Sequence, residues 1–281
     1  MPHFDVAGLL LDVVSDHSYI YDKLSSFKLE YIDKPDITIH MEACDHIDKP
    51  QGYMLMNDSI KWIRKPHVDE GYYIYISNRD NQILGMLDVD NKWSLAHFKY
   101  LSHGTGREFT SVSPLSEILF RIHLLFKQGI VIHAAAIEYE GKGIIFSAPS
   151  ETGKTTQANL WRKHMNAKVL NGDRPAVRIM DGRPFVFGTP WSGSSPDYIN
   201  SCAPVSAIVM LEQSPANSIR KLTAYEAVTC LMPRCFLPYF DQGLMDKAIN
   251  NLETVIKTVP VYLLRCRPDK ESVELVYQCI K

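Results

Sequence analysis

Residues 148–156 read APSETGKTT, and the stretches on either side of them decide how the chain folds: GIIFS at 143–147 and TQANLWRKH at 156–164. GIIFS is apolar and rich in residues that pack in strands. TQANLWRKH is helix-competent, with no glycine or proline. A strand, a glycine-containing turn and a helix, with Gly-Lys-Thr at 153–155, fit the pattern GxxxxGK(S/T), whose loop backbone cradles phosphate groups. Gly153 lets the backbone turn tightly before the helix. Lys154 is placed to reach the β and γ phosphates of a nucleoside triphosphate, and the Thr155 hydroxyl to ligate Mg²⁺. Backbone N–H groups at the start of the helix add further donors to an anion. The candidate nucleotide-binding segment is therefore Ala148, Pro149, Ser150, Glu151, Thr152, Gly153, Lys154, Thr155 and Thr156.

Two positions depart from the pattern. Ala148 stands in place of the first glycine. If that position needs positive φ, alanine costs about 1 kcal/mol or more; if it needs only a small side chain, alanine serves. Glu151 puts an acid beside the phosphates, which it repels unless it points away or meets the metal.

Outward from the loop, the second half alternates strands and helices. VIHAAAIEY and GIIFSA flank Glu140–Lys142 as two arms of a hairpin. AKVLNGD follows the loop helix, and AVRIM and RPFVFG form a second hairpin around Asp181-Gly182. SAIVMLEQ at 206–213 is another strand, Thr223-Ala-Tyr-Glu226 has capping-box spacing, and 242–258 carries one apolar helical stripe. VPVYLLRC is a last strand before a helix from about Glu271.

Upstream, SPLSEILFRIHLLFKQG predicts a helix with Ser113 as N-cap, Pro114 at its first position and Gly129 at its stop. The first hundred residues are β-rich: DITIHMEA at 36–43 alternates as a half-buried strand, YYIYIS and QILGMLDV pair across NRDN, and WSLAHFKYL follows Asp90-Asn91. The polar stretch 102–110 marks the boundary between a β-rich N-terminal domain (1–110) and a nucleotide-binding domain (111–281). The expected fold class is α/β (α+β): a phosphate-loop core of mixed, antiparallel-rich sheet with flanking helices, plus the β-rich N-terminal domain. Two hairpins around the loop strand disfavour a Ras-like parallel arrangement.

Composition sets outer limits. Hydrophobic residues make up 46% and charged residues 22% of 281, ordinary for a soluble globular protein. A formal net charge of -2 gives no general reason to expect nucleic acid or an anionic membrane as partner. No apolar run approaches the roughly 20 residues needed to span a bilayer, and the first residues lack the basic front of a secretory signal. Six cysteines without a framework spacing fit free thiols in a cytoplasmic protein. His40, Cys44 and His46 suggest a zinc cluster, but the spacing suits a strand poorly and no fourth ligand is evident.

VIHAAAI, APSETGKTT, NGDRPAV and GTPWSG together resemble the C-terminal catalytic domain of HPr kinase/phosphorylase, which shares its core with phosphoenolpyruvate carboxykinases. The resemblance covers roughly residues 129–200 by motif. It looks nearest to HPr-kinase-like proteins of bacterial operons and peptide-modification clusters, some of which phosphorylate serine in a peptide. The first hundred residues resemble no family. The resemblance implies that His133 lies near a catalytic aspartate and that Ser150 keeps the family's inner loop serine, while Ala148 and Glu151 replace glycines. The family's acidic pair falls on Asp173 and Arg174, so only the first acid remains, and the resemblance leaves the reverse phosphorylase reaction open.

Asp173, at a strand end near the loop, can ligate Mg²⁺ and accept the proton of an attacking hydroxyl; the plainer alternative is a solvated turn aspartate. His133 either orients Asp173, binds the metal, or is a satisfied core histidine. Arg174 either clamps a phosphate or acidic group, or forms a structural ion pair. Arg234 is a candidate for stabilising charge on the transferring phosphoryl, and 188–193 for a loop near the substrate. The expectation is an ATP- and Mg²⁺-dependent kinase with catalytic residues Lys154, Asp173 and His133 and metal ligands Thr155 and Asp173. Its acceptor would be a hydroxyl-bearing peptide, protein or small molecule, recruited through the N-terminal domain. The rival expectation, favoured by Ala148, Glu151 and Arg174, is a nucleotide-binding regulator or scaffold with little turnover. Assemblies in the resembling family leave a homo-oligomer open.

Overall fold

A computed structural model describes residues 2–15, 18–67, 70–102 and 109–281. The chain forms two compact units, Met1–His123 and Leu124–Lys281. The division falls within a helix, C-terminal of the boundary expected at residue 110, and residues 103–108 of that polar stretch lie outside the described residues.

The first unit is built on nine strands: β1 (His3–Val6), β2 (Leu9–Val14), β3 (Lys28–Leu29), β4 (Ile37–Cys44), β5 (Tyr53–Asn57), β6 (Ile60–Arg64), β7 (Tyr72–Ser77), β8 (Ile83–Val89) and β9 (Leu95–Leu101). They make one sheet in the order β3-β1-β2-β4-β9-β8-β7-β6-β5. The hairpins read from sequence are there: β7 pairs β8, and β8 pairs β9, both antiparallel. The parallel pairing of β4 with β9 closes over the four strands between them. A short helix α1 (Ser18–Lys23) follows β2. His40 stacks on His97 across the β4–β9 pair, and His46 pairs with Asp48.

Helix α2 (Phe109–Phe126) begins earlier than expected, so Pro114 lies inside it rather than at its first position. Gly129 is not the helix stop either. Gln128 takes the left-handed turn (φ 55°), and Gly129 opens a strand. A Cβ on Gly129 would crowd the Leu124 and Arg178 side chains, so glycine is used there for close approach.

The second unit holds β10 (Gly129–Val131), β11 (Ala134–Tyr139), β12 (Lys142–Ser147), α3 (Lys154–Met165), β13 (Lys168–Asn171), β14 (Ala176–Met180), β15 (Arg183–Phe187), β16 (Cys202–Gln213), β17 (Ser218–Lys221), α4 (Ala224–Leu231), α5 (Gln242–Thr258), β18 (Val261–Cys266) and α6 (Lys270–Ile280). Seven strands run β10-β14-β15-β16-β12-β11-β13, with β18 joined to β16 and β17 to β18. The loop strand β12 is antiparallel to β11 but parallel to β16, which is parallel to β18. The sheet is mixed, and the fold class is α/β.

Alternation places both faces of this sheet in core, which is why its strands read as nearly continuous apolar runs. Ala134, Ala136, Ile145, Ile208 and Met210 pack with Leu231 of α4 and Leu252 and Val255 of α5. Ala135, Ile137, Ile144, Phe146 and Val209 pack with Ala158 and Trp161 of α3 and Val273 and Val276 of α6. The capping box at Thr223 and Glu226 forms as its spacing suggests. With the sheet fixed between two helical layers, the carboxyl ends of β12, β16 and β18 and the start of α3 meet at one rim.

Candidate active site

The loop between β12 and α3 carries its strain at one residue. Glu151 is held at φ 64° and Gly153 at φ 118°, whereas Ala148 has an ordinary backbone and lies fully buried beside Phe146 and Ala158. Position 148 therefore needs smallness, not left-handed freedom. Gly153 caps α3 without any side-chain acceptor for the helix amides. The N–H groups of the first turn have no partner within the helix, so this end is a concentration of donors. Thr155 and Thr156 are exposed on that turn.

Lys154 does not extend outward. Its side chain is 7% exposed and curls over the loop, with Nζ 3.2 Å from Ala148 O and 3.3 Å from Pro149 O. Among the described residues no carboxylate forms an ion pair with it. Burial pulls its pKa below the ordinary lysine range; Asp173 opposes that pull and Arg234 adds to it. An ammonium held against two neutral carbonyls and short of a counter-charge is well placed to gain from an anion arriving over the loop.

His133 is not in a continuous strand, as VIHAAAIEY suggested, but on a bend between β10 and β11. The break follows from pairing: β10 pairs with β14, whereas β11 pairs with β12 and β13, so the chain changes partners at 132–133. Backbone bonds at the bend gather distant segments. His133 N–H donates to Arg234 O (2.7 Å), and Ala134 N–H donates to Asp173 O (2.9 Å). Ser147 Oγ, at the end of the loop strand, donates to His133 O (2.9 Å).

The side chains then converge. His133 Nε2 stands 3.1 Å from Asp173 Oδ1, and Arg174 Nε donates to Asp173 Oδ2 at 3.1 Å. Asp173 is thus held from both sides and is no solvated turn residue. The Arg174 guanidinium also lies over the Phe236 ring, 5.6 Å from its centroid. Burial pushes the His133 imidazole below its usual pKa; the Lys154 charge adds to this, Asp173 opposes it, and Arg174 and Arg234 contribute further lowering. The lowered pKa favours the neutral imidazole, which would donate from Nε2 to the carboxylate 3.1 Å away.

Sequence reasoning missed two supports. Asn171, fully buried, accepts from the N–H groups of Asp173 (2.9 Å) and Arg174 (2.6 Å) through Oδ1. Its Nδ2 donates to Thr189 O (2.9 Å) and Trp191 O (3.1 Å), which ties the 188–193 loop to the aspartate turn. An asparagine two residues before an aspartate is an Asx-turn signal that was legible. Gly193 (φ 57°) is the second: a Cβ there would overlap Asp173 Oδ2. Nothing local announces that approach. Arg234 reaches the site through its backbone bond to His133, and among the described residues it has no ion-pair partner.

The hard oxygen donors at hand, the Thr155 hydroxyl and the Asp173 carboxylate, fit Mg²⁺, which takes few protein ligands and fills its shell with water and phosphate oxygens. No group of three His, Cys, Asp or Glu side chains is gathered as a metal site among the described residues.

No protein-family model matches the sequence, and no curated protein matches it. Among solved structures, the chain is similar to the Hpr(Ser) kinase/phosphatase from Coxiella burnetii, with 11% identity, a TM-score of 0.32, and coverage of 53% of this chain and 94% of that one. A TM-score that low carries no inference about chemistry, which rests instead on the geometry of residues 133, 148–156, 173 and 234.

Proposed function

We propose that this protein is a kinase that moves the γ-phosphoryl of a nucleoside triphosphate, as its Mg²⁺ complex, onto the hydroxyl of a peptide, protein or small molecule. The observation that carries the reading is the convergence of a donor-rich helix start, Lys154 and the His133–Asp173 pair at one rim of the sheet. Loop amides and Lys154 would hold the β and γ phosphates. Thr155 and Asp173 would hold Mg²⁺, whose contribution when bound is to neutralise phosphate charge. The acceptor oxygen attacks γ-phosphorus, the bond to the β-phosphate oxygen breaks, and the acceptor proton passes to Asp173, which the His133 N–H keeps oriented. Arg234 offsets charge on the transferring group.

One observation favours the scaffold reading: Arg174 already occupies one oxygen of Asp173. A single assay separates the two. The protein is incubated with Mg²⁺, ATP labelled at the γ-phosphate, and a peptide library containing serine and threonine. Covalent label on an acceptor is the expected result, reduced by about 10²–10³-fold or more in Lys154→Ala and in Asp173→Asn. Undiminished labelling by either variant removes these residues from the reaction. Saturable nucleotide binding without transfer to any acceptor supports the scaffold.

A further inference from the structure

The chain after Trp191 makes a tight turn against the aspartate. Ser195 N–H donates to Ser192 O at 2.9 Å, and Ser192 Oγ donates to Ser195 O at 2.6 Å. Gly193 and Ser194 are therefore the tip of a turn closed twice. That tip lies on Asp173: a Cβ on Gly193 would stand 2.1 Å from Asp173 Oδ2. Because successive Cα atoms are about 3.8 Å apart, the Ser194 Cα is within about 7.5 Å of the same oxygen.

The turn is pinned on both sides. Upstream, Asn171 Nδ2 donates to Thr189 O and Trp191 O. Downstream, Gly172 N–H donates to Asp197 O at 2.9 Å, Ile199 N–H donates to Leu170 O at 3.0 Å, and Arg162 of α3 pairs with Asp197 at 2.7 Å. Four hydroxyl side chains lie between 189 and 195, and three of them are engaged. Thr189 Oγ1 donates to Arg174 O at 2.8 Å, Ser192 Oγ closes the turn, and Ser195 Oγ accepts from Asp197 N–H at 3.2 Å. Ser194 alone of the four is exposed, and its hydroxyl has no partner among the described residues.

We infer that Ser194 is a modification site: the chain phosphorylates its own Ser194, an inference that rests on the kinase reading for both the phosphoryl donor and the base. Ser194 Oγ attacks γ-phosphorus, and the bond from γ-phosphorus to the oxygen bridging the β-phosphate breaks. The nucleoside diphosphate leaves, and the serine proton passes to Asp173. A hydroxyl tethered in the same chain meets the bound phosphate at an effective concentration of about millimolar or more, so no second molecule is needed. The neighbouring glycine gives the tip the backbone freedom to bring Oγ into line while the pinned flanks stay in place.

The test uses the full chain, treated beforehand with a phosphatase that is then removed, and incubated with Mg²⁺ and ATP labelled at the γ-phosphate. No acceptor is added at first, and fragmentation mass spectrometry locates the label. One label per chain is expected, on Ser194, with a rate constant that stays within about two-fold over about a hundred-fold range of protein concentration. Ser194→Ala is expected to lose this self-labelling and still label the serine- and threonine-containing peptide library, which also shows that the variant is folded. Label on another residue of the chain, or self-labelling undiminished in Ser194→Ala, overturns the inference. A rate constant that rises in proportion to protein concentration overturns transfer within one chain. Labelling of the library without labelling of the chain overturns Ser194 as acceptor and leaves the kinase reading standing. If neither is labelled, the kinase reading falls, and self-phosphorylation with it.

Discussion

Asp173 is positioned by what touches it and by what is missing beside it. His133 and Arg174 hold its two oxygens, Asn171 holds its backbone, and the absent Cβ of Gly193 leaves room for Oδ2. Gly193→Ala is therefore expected to push the carboxylate out of place. In a phosphoryl-transfer assay it should lower kcat by about 10²-fold, since misplacement of about 1 Å can cost that much, while nucleotide affinity changes little. Equal kcat in the variant removes the steric argument. The depressed pKa of His133 gives a stability prediction with a definite sign. The folded state resists protonating this imidazole, so the unfolded chain binds the extra proton first. The stabilisation is present above the ordinary histidine value of about 6.5 and is lost as pH falls through it toward the lower folded value. His133→Gln should flatten that part of the Tm-against-pH curve between about pH 7 and pH 5. An unchanged acid limb would show that the imidazole is protonated as easily folded as unfolded.

At the scale of elements, the loop between β12 and α3 takes positive φ at 151 and 153, and only the non-glycine Glu151 is strained by it. Glu151 occupies a conformation that costs a non-glycine residue about 1–2 kcal/mol, so Glu151→Gly should be neutral or stabilising by about 1 kcal/mol in chemical denaturation. Gly153→Ala has open space for its Cβ but the wrong φ. It should destabilise by about 1 kcal/mol or more and weaken nucleotide binding, because the first-turn amides turn with it. A Gly153→Ala protein with unaltered stability and affinity contradicts the loop geometry. The elements that sequence predicted well are those specified locally. Glu140-Gly141 and Asp181-Gly182 both supply consecutive positive φ values, and each sits at the tip of the hairpin read there. The elements it misread depend on distant partners. The bend at His133 arises because β10 and β11 pair with different strands, and no periodicity within VIHAAAIEY contains that information. Pro114 and Gly129 suggested helix ends by local preference, but Phe109 and Gln128 hold the first-turn and left-handed positions.

For the whole molecule, the 148–156 motif was legible because it is contiguous in sequence, whereas His133 and Asp173 were legible only as separate residues. Residues 133, 173 and 234 meet through backbone bonds between a bend, a turn and a short 3₁₀ helix, which is tertiary information. The topology of β16 illustrates the same limit. Its second half, 206–213, reads as a strand between two parallel neighbours, but its first half carries Pro204 and pairs antiparallel with β15. Strand pattern shows that half poorly. The consequence is one sheet that carries the 148–156 loop, the Asp173 turn and the turn after β18.

The central claim is that the amides at the start of α3 receive a polyphosphate. Its most direct measurement is the amide ¹H–¹⁵N spectrum of the labelled protein titrated with Mg²⁺ and a non-hydrolysable ATP analogue. Saturable shifts concentrated on residues 150–156 are predicted, with those shifts abolished in Lys154→Ala. A spectrum in which 150–156 stay unmoved at saturating analogue, or move equally in Lys154→Ala, contradicts the account.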